Sequence, residues 1–237
     1  ERRGAAFLVL LIAIGLAAVA SLLLSPLEQL LPPGLEVPRI ALLVQPALLL
    51  VGCALLGWWA APKVGLDAPV LGGLLEKGDW TGALRGAVIL GLAGAIAAGL
   101  VLVVFGLATA PYFAGQQAEM ELPMLTRVAY GGIGEEIISR WGVMSLIALI
   151  ALKLGLGRLS AQWTGNALAA LLFALGHLPA LFALVDPPGW LLAAVIAGNV
   201  AAGLIFGWLF MRRGLESAMI AHAGAHLLAV PVLMALG

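Results

Sequence analysis

The sequence has 237 residues, of which 63% are hydrophobic and 10% are charged, and its formal net charge is zero. Soluble globular domains carry about 25% charged residues, so this composition, with a mean hydropathy of +1.12, excludes an ordinary soluble protein. The zero net charge and the lack of a basic stripe exclude nucleic acid as a partner. The sequence therefore predicts an integral membrane protein.

Apolar runs of about 20 residues, the length that crosses a bilayer as a helix, recur along the chain. They predict an all-α fold, a polytopic bundle of about seven transmembrane helices. The stretch 64–75 is short and rich in Gly and Pro, and it predicts an amphipathic segment at the membrane surface, an eighth helix at most. The runs are 4–25, 40–61, 85–109, 124–152, 161–184, 190–211 and 215–236.

The basic residues predict the orientation of these spans. With the N-terminus in the cytoplasm, the cytoplasmic loops receive most of the Lys and Arg residues, as the positive-inside rule requires. We therefore expect the cytoplasmic membrane of a bacterium or archaeon, with a cytoplasmic N-terminus. The inner residues are Arg2, Arg3, Lys63, Lys77, Arg85, Lys153, Arg158, Arg212 and Arg213, and the outer ones are Arg39 and Arg127.

Intramembrane polar residues are confined to the second half of the chain. We expect one integral membrane domain over 1–237, with scaffold spans in 1–120 and a catalytic core in 124–237. Gly198, Gly203 and Gly207 give the sixth run a small-residue face that allows close helix packing. The single cysteine, Cys53, provides neither a disulfide nor a Cys-based metal site.

Two adjacent carboxylates, Glu135 and Glu136, stand in the middle of the fourth run. A charge at the centre of a bilayer costs about 3 kcal/mol or more, so such residues usually have a function. Glu136 and Arg140 are four residues apart and share a helix face, which predicts an ion pair. Glu135 is rotated by about 100° from Glu136. It is therefore free to face a wet cavity as a general base.

Every histidine of the chain falls in a predicted span. His177 follows Phe173 by four residues in the fifth run, and His222 and His226 share one face of the seventh. A lone buried histidine usually does no more than bond a backbone carbonyl. Three of them beside intramembrane glutamates indicate a site that activates water, stabilises an oxyanion or binds Zn²⁺. Asn199 in the sixth run either forms a hydrogen bond to a neighbouring helix or supports the site.

The order and spacing of these motifs resemble the CPBP family of intramembrane proteases. That family includes the CAAX-processing Rce1 enzymes and the bacteriocin-processing and immunity proteins of the ABI group. The resemblance covers about residues 125–230 and includes the run 203–217 that leads into the last motif. It is carried by Glu135-Glu136-x-x-x-Arg140, Phe173-x-x-x-His177 and His222-x-x-x-His226. It implies a glutamate-type intramembrane endopeptidase that needs no cofactor.

The resemblance also implies roles for single residues. It gives water activation to Glu135 and His177, oxyanion binding to His222 and His226, and support to Glu136 and Arg140. We also expect supporting roles for Phe173 and Asn199. The chain departs from the Rce1-like pattern at His226, where those members commonly have Asn. A histidine can donate a hydrogen bond as Asn does, but it can also titrate or bind a metal, so a metal-assisted mechanism stays open.

Two alternatives follow from the same residues. In a metalloprotease, Zn²⁺ would be held by His177, His222 or His226 with Glu135 nearby, which satisfies the ligand count of a zinc site. In a proton-coupled transporter, the buried Glu and His side chains would form a proton path, although inverted repeats and paired broken helices are missing. The expected partners are membrane lipid and a peptide or protein substrate, either lipidated or membrane-anchored.

Overall fold

The computed structural model describes residues 4–32, 34–113 and 122–236, and within these ranges every regular element is a helix. The predicted all-α fold is therefore confirmed. The α-helices are α1 (Ala5–Ala20), α2 (Val44–Ala60), α3 (Pro69–Leu75), α4 (Trp80–Phe113), α5 (Met124–Thr126), α6 (Ser145–Lys153), α7 (Arg158–Gly176), α8 (Leu178–Leu184), α9 (Gly189–Arg213) and α10 (Leu215–Leu236).

Six helices of the described chain are long and apolar enough to cross a membrane, and they coincide with six of the predicted runs. Turns of 3₁₀-helix lengthen the first two, at Ser21–Leu24, Arg39–Leu43 and Ala61–Val64. Arg2 and Arg3, which enter the orientation argument, lie outside the described residues. The six helices are Ala5–Leu24, Arg39–Val64, Trp80–Phe113, Arg158–Leu184, Gly189–Arg213 and Leu215–Leu236.

The remaining predicted run is also helical, but it is not a regular α-helix. We call residues 124–153 the glutamate segment. It starts as α5, widens into π-helix over Arg127–Gly134 and again over Ile137–Met144, and ends as α6. Only Glu135 and Glu136 interrupt the two π stretches. Such widened turns occur frequently at functional sites, and together with the six long helices this segment agrees with the prediction of about seven spans.

Helices α4 and α10 pack closely because α4 presents glycines to its partner. A Cβ added to Gly91 would lie 2.8 Å from Ile220 Cγ2, and one added to Gly94 would lie 3.1 Å from the Cβ of Ala221. Inside lipid, such small-residue contacts replace the hydrophobic effect as the source of helix association. The long α4 therefore serves as a support for the helix that carries two of the histidines.

The start of α4 is fixed by Asp79. Its Oδ1 accepts hydrogen bonds from the hydroxyl of Thr81 at 2.9 Å and from the backbone N–H of Gly82 at 3.0 Å. This is the geometry of an N-cap, which satisfies a donor that a helix start otherwise leaves unpaired.

The stretch 64–75 contains one short helix, α3 (Pro69–Leu75), which is too short to span a bilayer. It is less superficial than predicted, because Val64, Leu66 and Ala68 are buried. Two hydrogen bonds attach it to the first turn of α10. The N–H of Leu71 donates to Glu216 Oε1 at 2.8 Å, and the N–H of Leu215 donates to the carbonyl of Asp67 at 3.0 Å.

Candidate active site

A buried ion pair forms the base of the site. Arg140 Nη1 lies 3.4 Å from Glu136 Oε1, and the two side chains are 1% and 0% exposed. The ion pair predicted from helical spacing is thus present. Nη2 of Arg140 also donates to the carbonyl of Gly203 in α9 at 2.9 Å. In so apolar a setting, each charge is tolerated because the other neutralises it.

One imidazole connects this pair to the second glutamate. Nδ1 of His222 lies 2.9 Å from Glu136 Oε1, while Nε2 of the same ring lies 4.0 Å from Glu135 Oε2. Because a carboxylate only accepts hydrogen bonds, Nδ1 carries a proton. The opposite nitrogen, Nε2, is therefore the atom that His222 presents to Glu135.

The two glutamates differ sharply in access. The side chain of Glu135 is 23% exposed, whereas that of Glu136 is fully buried. Adjacent positions on a helix point in directions about 100° apart, so Glu136 turns to Arg140 and Glu135 to a more open region. The accessible carboxylate is therefore Glu135.

Two glycines of the glutamate segment leave space in front of the histidines of α10. A Cβ on Gly131 would lie 3.1 Å from His226 Nε2 and 3.7 Å from His222 Nε2, so both ring nitrogens lie close to one position. A Cβ on Gly132 would lie 2.6 Å from that of Ala223. The first glycine lets the imidazoles lie close to the glutamate segment, and the second allows the helices to approach.

His222 is surrounded by aromatic rings. Phe206 of α9 stacks on it with centroids 4.5 Å apart and an interplanar angle of 16°. Phe173 meets it edge-on at 5.9 Å, and the ring of His226 lies 5.1 Å away. The guanidinium of Arg140 lies 4.9 Å from the Phe173 centroid and 5.5 Å from that of Phe206. Phe206 was not among the residues selected from the sequence.

His177 stands at the junction of α7 and α8. Its Nδ1 is 2.8 Å from the carbonyl of Phe173, and because a carbonyl only accepts, Nδ1 carries a proton. In the neutral ring, Nε2 is then a free acceptor. Phe173 contacts the rings of both His177, at 4.7 Å, and His222. It links the two histidines, whereas no direct contact between His177 and Glu135 is found within residues 122–236.

Asn199 does not join this cluster in the described part of the chain. Its amide donates to the carbonyl of Val195 in its own helix at 2.9 Å. A buried amide that the sequence argument missed, Asn166 of α7, instead bridges helices by donating to the carbonyl of Leu204 at 3.1 Å. Its polarity in the middle of an apolar run was the signal that could have identified it.

The predicted small-residue face of α9 divides between two neighbours. A Cβ on Gly203 would lie 2.9 Å from that of Ala170 in α7, and Gly207 leaves room for Asn166. Gly198 instead faces Phe105 of α4, at 3.2 Å from the Cβ position to Cδ2. Gly203 and Gly207 thus bring α9 and its carbonyls close to α7 and the buried arginine.

No group of three or more His, Cys, Asp or Glu side chains within residues 4–32, 34–113 and 122–236 is placed to hold a metal ion. His222 and His226 stack side by side, and Phe173 contacts the rings of both His177 and His222.

Comparison with known proteins identifies one family. The family model described as type II CAAX prenyl endopeptidase Rce1-like matches residues 117–228, just under half of the chain. The match contains all the site residues described above. No curated protein and no solved structure matches the chain.

Proposed function

We propose that this chain, which carries an Rce1-like domain of the type II CAAX prenyl endopeptidase family over residues 117–228, hydrolyses a peptide bond by general-base attack of water. The predicted family resemblance is confirmed. The family indicates a hydrolase of the CAAX endopeptidase type, and the apolar helices make the chain an integral membrane protein. The mechanism and the roles of the residues below are our proposal.

The observation that carries the proposal is the position of His222 between the two glutamates. It lies 2.9 Å from Glu136 and 4.0 Å from Glu135. Glu136 is occupied by Arg140 and by His222, which suits a supporting residue. Glu135 is partly accessible, and in the described part of the chain no Arg or Lys lies within ion-pair distance of it, which suits a group that must accept and return a proton.

In the proposed reaction, Glu135 takes a proton from a water molecule whose other hydrogen is held by Nε2 of His177. The free acceptor on that nitrogen supports this role for His177. The oxygen of the water attacks the peptide carbonyl, and the tetrahedral intermediate places its negative oxygen near Nε2 of His222 and of His226. Collapse of the intermediate breaks the C–N bond, and Glu135 returns the proton to the leaving amine.

His222 and His226 are the proposed donors to that oxyanion. Their Nε2 atoms lie within 3.1 and 3.7 Å of one position beside Gly131, and this closeness supports a shared role as oxyanion donors. Because Nδ1 of His222 already carries a proton, a second proton on Nε2 is required for donation. His222 would therefore act as an imidazolium held between two carboxylates. His226 would be the second donor, in place of the Asn that is common in Rce1-like members.

The proposed substrate is a peptide or protein at the membrane, either lipidated or membrane-anchored. The three histidines of the site lie on helices of membrane-spanning length, which supports access of the substrate within or beside the lipid. We propose that the reaction needs no metal.

The experiment uses purified protein in liposomes with a prenylated peptide that ends in a CAAX-type sequence, its unprenylated form and a transmembrane peptide. Release of the C-terminal fragment is followed by mass spectrometry. Glu135→Gln is expected to lower kcat by about 10²–10⁴-fold, the usual contribution of a general base. The matched control is Glu28→Gln, an exposed glutamate 57% accessible in its own surface ion pair, which should cleave normally.

Two further arms separate the alternatives. Prolonged chelation followed by metal analysis should leave the activity unchanged, whereas parallel loss of metal and activity would support the zinc mechanism. Full activity of Glu135→Gln would contradict both protease mechanisms. A chain that cleaves none of the peptides but carries a proton-gradient-dependent flux in the same liposomes would be a transporter.

A further inference from the structure

We propose that Phe206 is a positioning residue that holds the imidazole of His222 in its working orientation. This inference rests on the proposed function, since it assigns Phe206 a part in the same reaction. Its basis is the nearly parallel stack of the two rings, with centroids 4.5 Å apart at 16°, at a phenylalanine only 1% exposed.

The orientation of His222 needs such a support. Its hydrogen bond to Glu136 holds one atom, Nδ1, but a hydrogen bond tolerates a range of angles, so the ring can still tilt about its Cβ–Cγ bond. Rotation would carry Nε2 away from Glu135 and from the position in front of Gly131. Phe173 meets the ring only by its edge, at 83°. Phe206 presents a flat face, and a flat face opposes rotation out of the ring plane.

Two hydrogen bonds from neighbouring helices hold the turn of α9 that carries Phe206. The carbonyl of Gly203 accepts from Arg140 at 2.9 Å, and the carbonyl of Leu204 accepts from Asn166 at 3.1 Å. Gly203 and Gly207 stand on either side of Phe206 and let this turn approach α7. Gly203, Gly207 and Arg140 therefore fix the position of the Phe206 ring relative to His222.

The chain offers a matched control one turn further along α9. Phe210 is also 1% exposed, but its ring faces Trp141, with centroids 6.3 Å apart. Replacing either phenylalanine by leucine removes similar buried volume from the same helix. Only Phe206→Leu removes a stacking partner of a histidine. The two variants should thus be alike in stability and different in catalysis.

The experiment compares wild type, Phe206→Leu, Phe206→Tyr and Phe210→Leu by thermal unfolding and by steady-state cleavage. We expect Phe206→Leu to lose about 10–100-fold in kcat with KM within about twofold, since a small misplacement of a catalytic group costs up to about 10²-fold. Phe206→Tyr keeps the ring and should recover most of that loss. Phe210→Leu should keep kcat within about threefold of wild type.

A second readout does not depend on turnover. Protein labelled with ¹⁵N-histidine contains only three labelled rings, which NMR spectra can resolve. The Nδ1–H proton of His222 should give a resonance shifted downfield, because its acceptor is a carboxylate. That signal should shift or broaden in Phe206→Leu and stay in Phe210→Leu.

The outcomes of the two readouts are distinct. Equal kcat in the two leucine variants, or an unchanged His222 signal in Phe206→Leu, would overturn the positioning role. A wild-type protein that cleaves no peptide would refute the proposed function, and with it the catalytic consequence of the stack.

Discussion

Removing the positive charge of Arg140 should expose how much the bundle depends on its buried ion pair. In Arg140→Met, Glu136 keeps only His222 as a polar partner. The variant loses the 3.4 Å ion pair and the 2.9 Å hydrogen bond to Gly203. Water cannot replace either one, because the two side chains are 1% and 0% exposed. An uncompensated charge would therefore remain inside the helices.

The expected loss in free energy of unfolding is about 3–5 kcal/mol, the range for breaking a buried ion pair by removing one partner. The lost hydrogen bond from a charged donor accounts for about 1.5–3 kcal/mol of this. The double variant Glu136→Gln/Arg140→Met should be more stable than Arg140→Met alone. Replacing both members of a buried pair is often close to neutral, and the amide oxygen of Gln can still accept from His222.

The assay is a double-mutant cycle of thermal or denaturant unfolding in bicelles. Glu28→Gln is the control, because Glu28 pairs at 3.5 Å with Arg39 at an exposed site, where a salt bridge contributes about 0–1 kcal/mol. Two results would refute the reasoning. One is an Arg140→Met variant within about 1 kcal/mol of the Glu28→Gln control. The other is a double variant whose loss equals the sum of the single losses.

Three other substitutions test the packing around the site. Gly132→Ala should lower the free energy of unfolding by about 1–3 kcal/mol, because its methyl would lie 2.6 Å from a side chain of α10. Gly52→Ala is the control, because its methyl meets open space. Equal melting temperatures of the two variants would contradict this prediction. Trp141→Phe should lower the free energy of unfolding by about 1 kcal/mol, since it removes the donor to a carbonyl of α2 at 3.1 Å. An unchanged unfolding transition would show that this hydrogen bond does not stabilise the fold. Asp79→Ala should speed hydrogen exchange in the first turn of α4. Hydrogen bonds hold the pKa of Asp79 below its usual value, so this cap should persist at neutral pH and fail only as the pH falls through that lowered pKa.

Local spacing was enough to predict the relations within one helix. Glu136 and Arg140 pair as four-residue spacing requires, and the rings of His222 and His226 lie side by side on one face. Glu135 is also separated from the pair, as its rotation on the helix indicated. These features depend only on the repeat of a helix, which a sequence shows directly.

Relations between helices could not be predicted in this way. The stack of Phe206 on His222 depends on how α9 and α10 are rotated about their own axes. The π-helical turns on both sides of Glu135 depend on a choice between hydrogen-bond acceptors that tertiary contacts decide. Asn199 had the right polarity, but its amide bonds its own helix, while Asn166, four residues before Ala170, bridges two helices.

The burial of polar groups has a consequence for how this protein can change. Apolar side chains gain little by leaving lipid for a helix interface, so polar bonds and close contacts hold the helices together. Here several of those bonds belong to the site itself, at Glu136, Arg140 and His222. Mutational drift at these positions would loosen the scaffold as well as the chemistry. Inactive descendants of this chain should therefore arise by isosteric changes such as Glu135→Gln before they arise by loss of the buried charges.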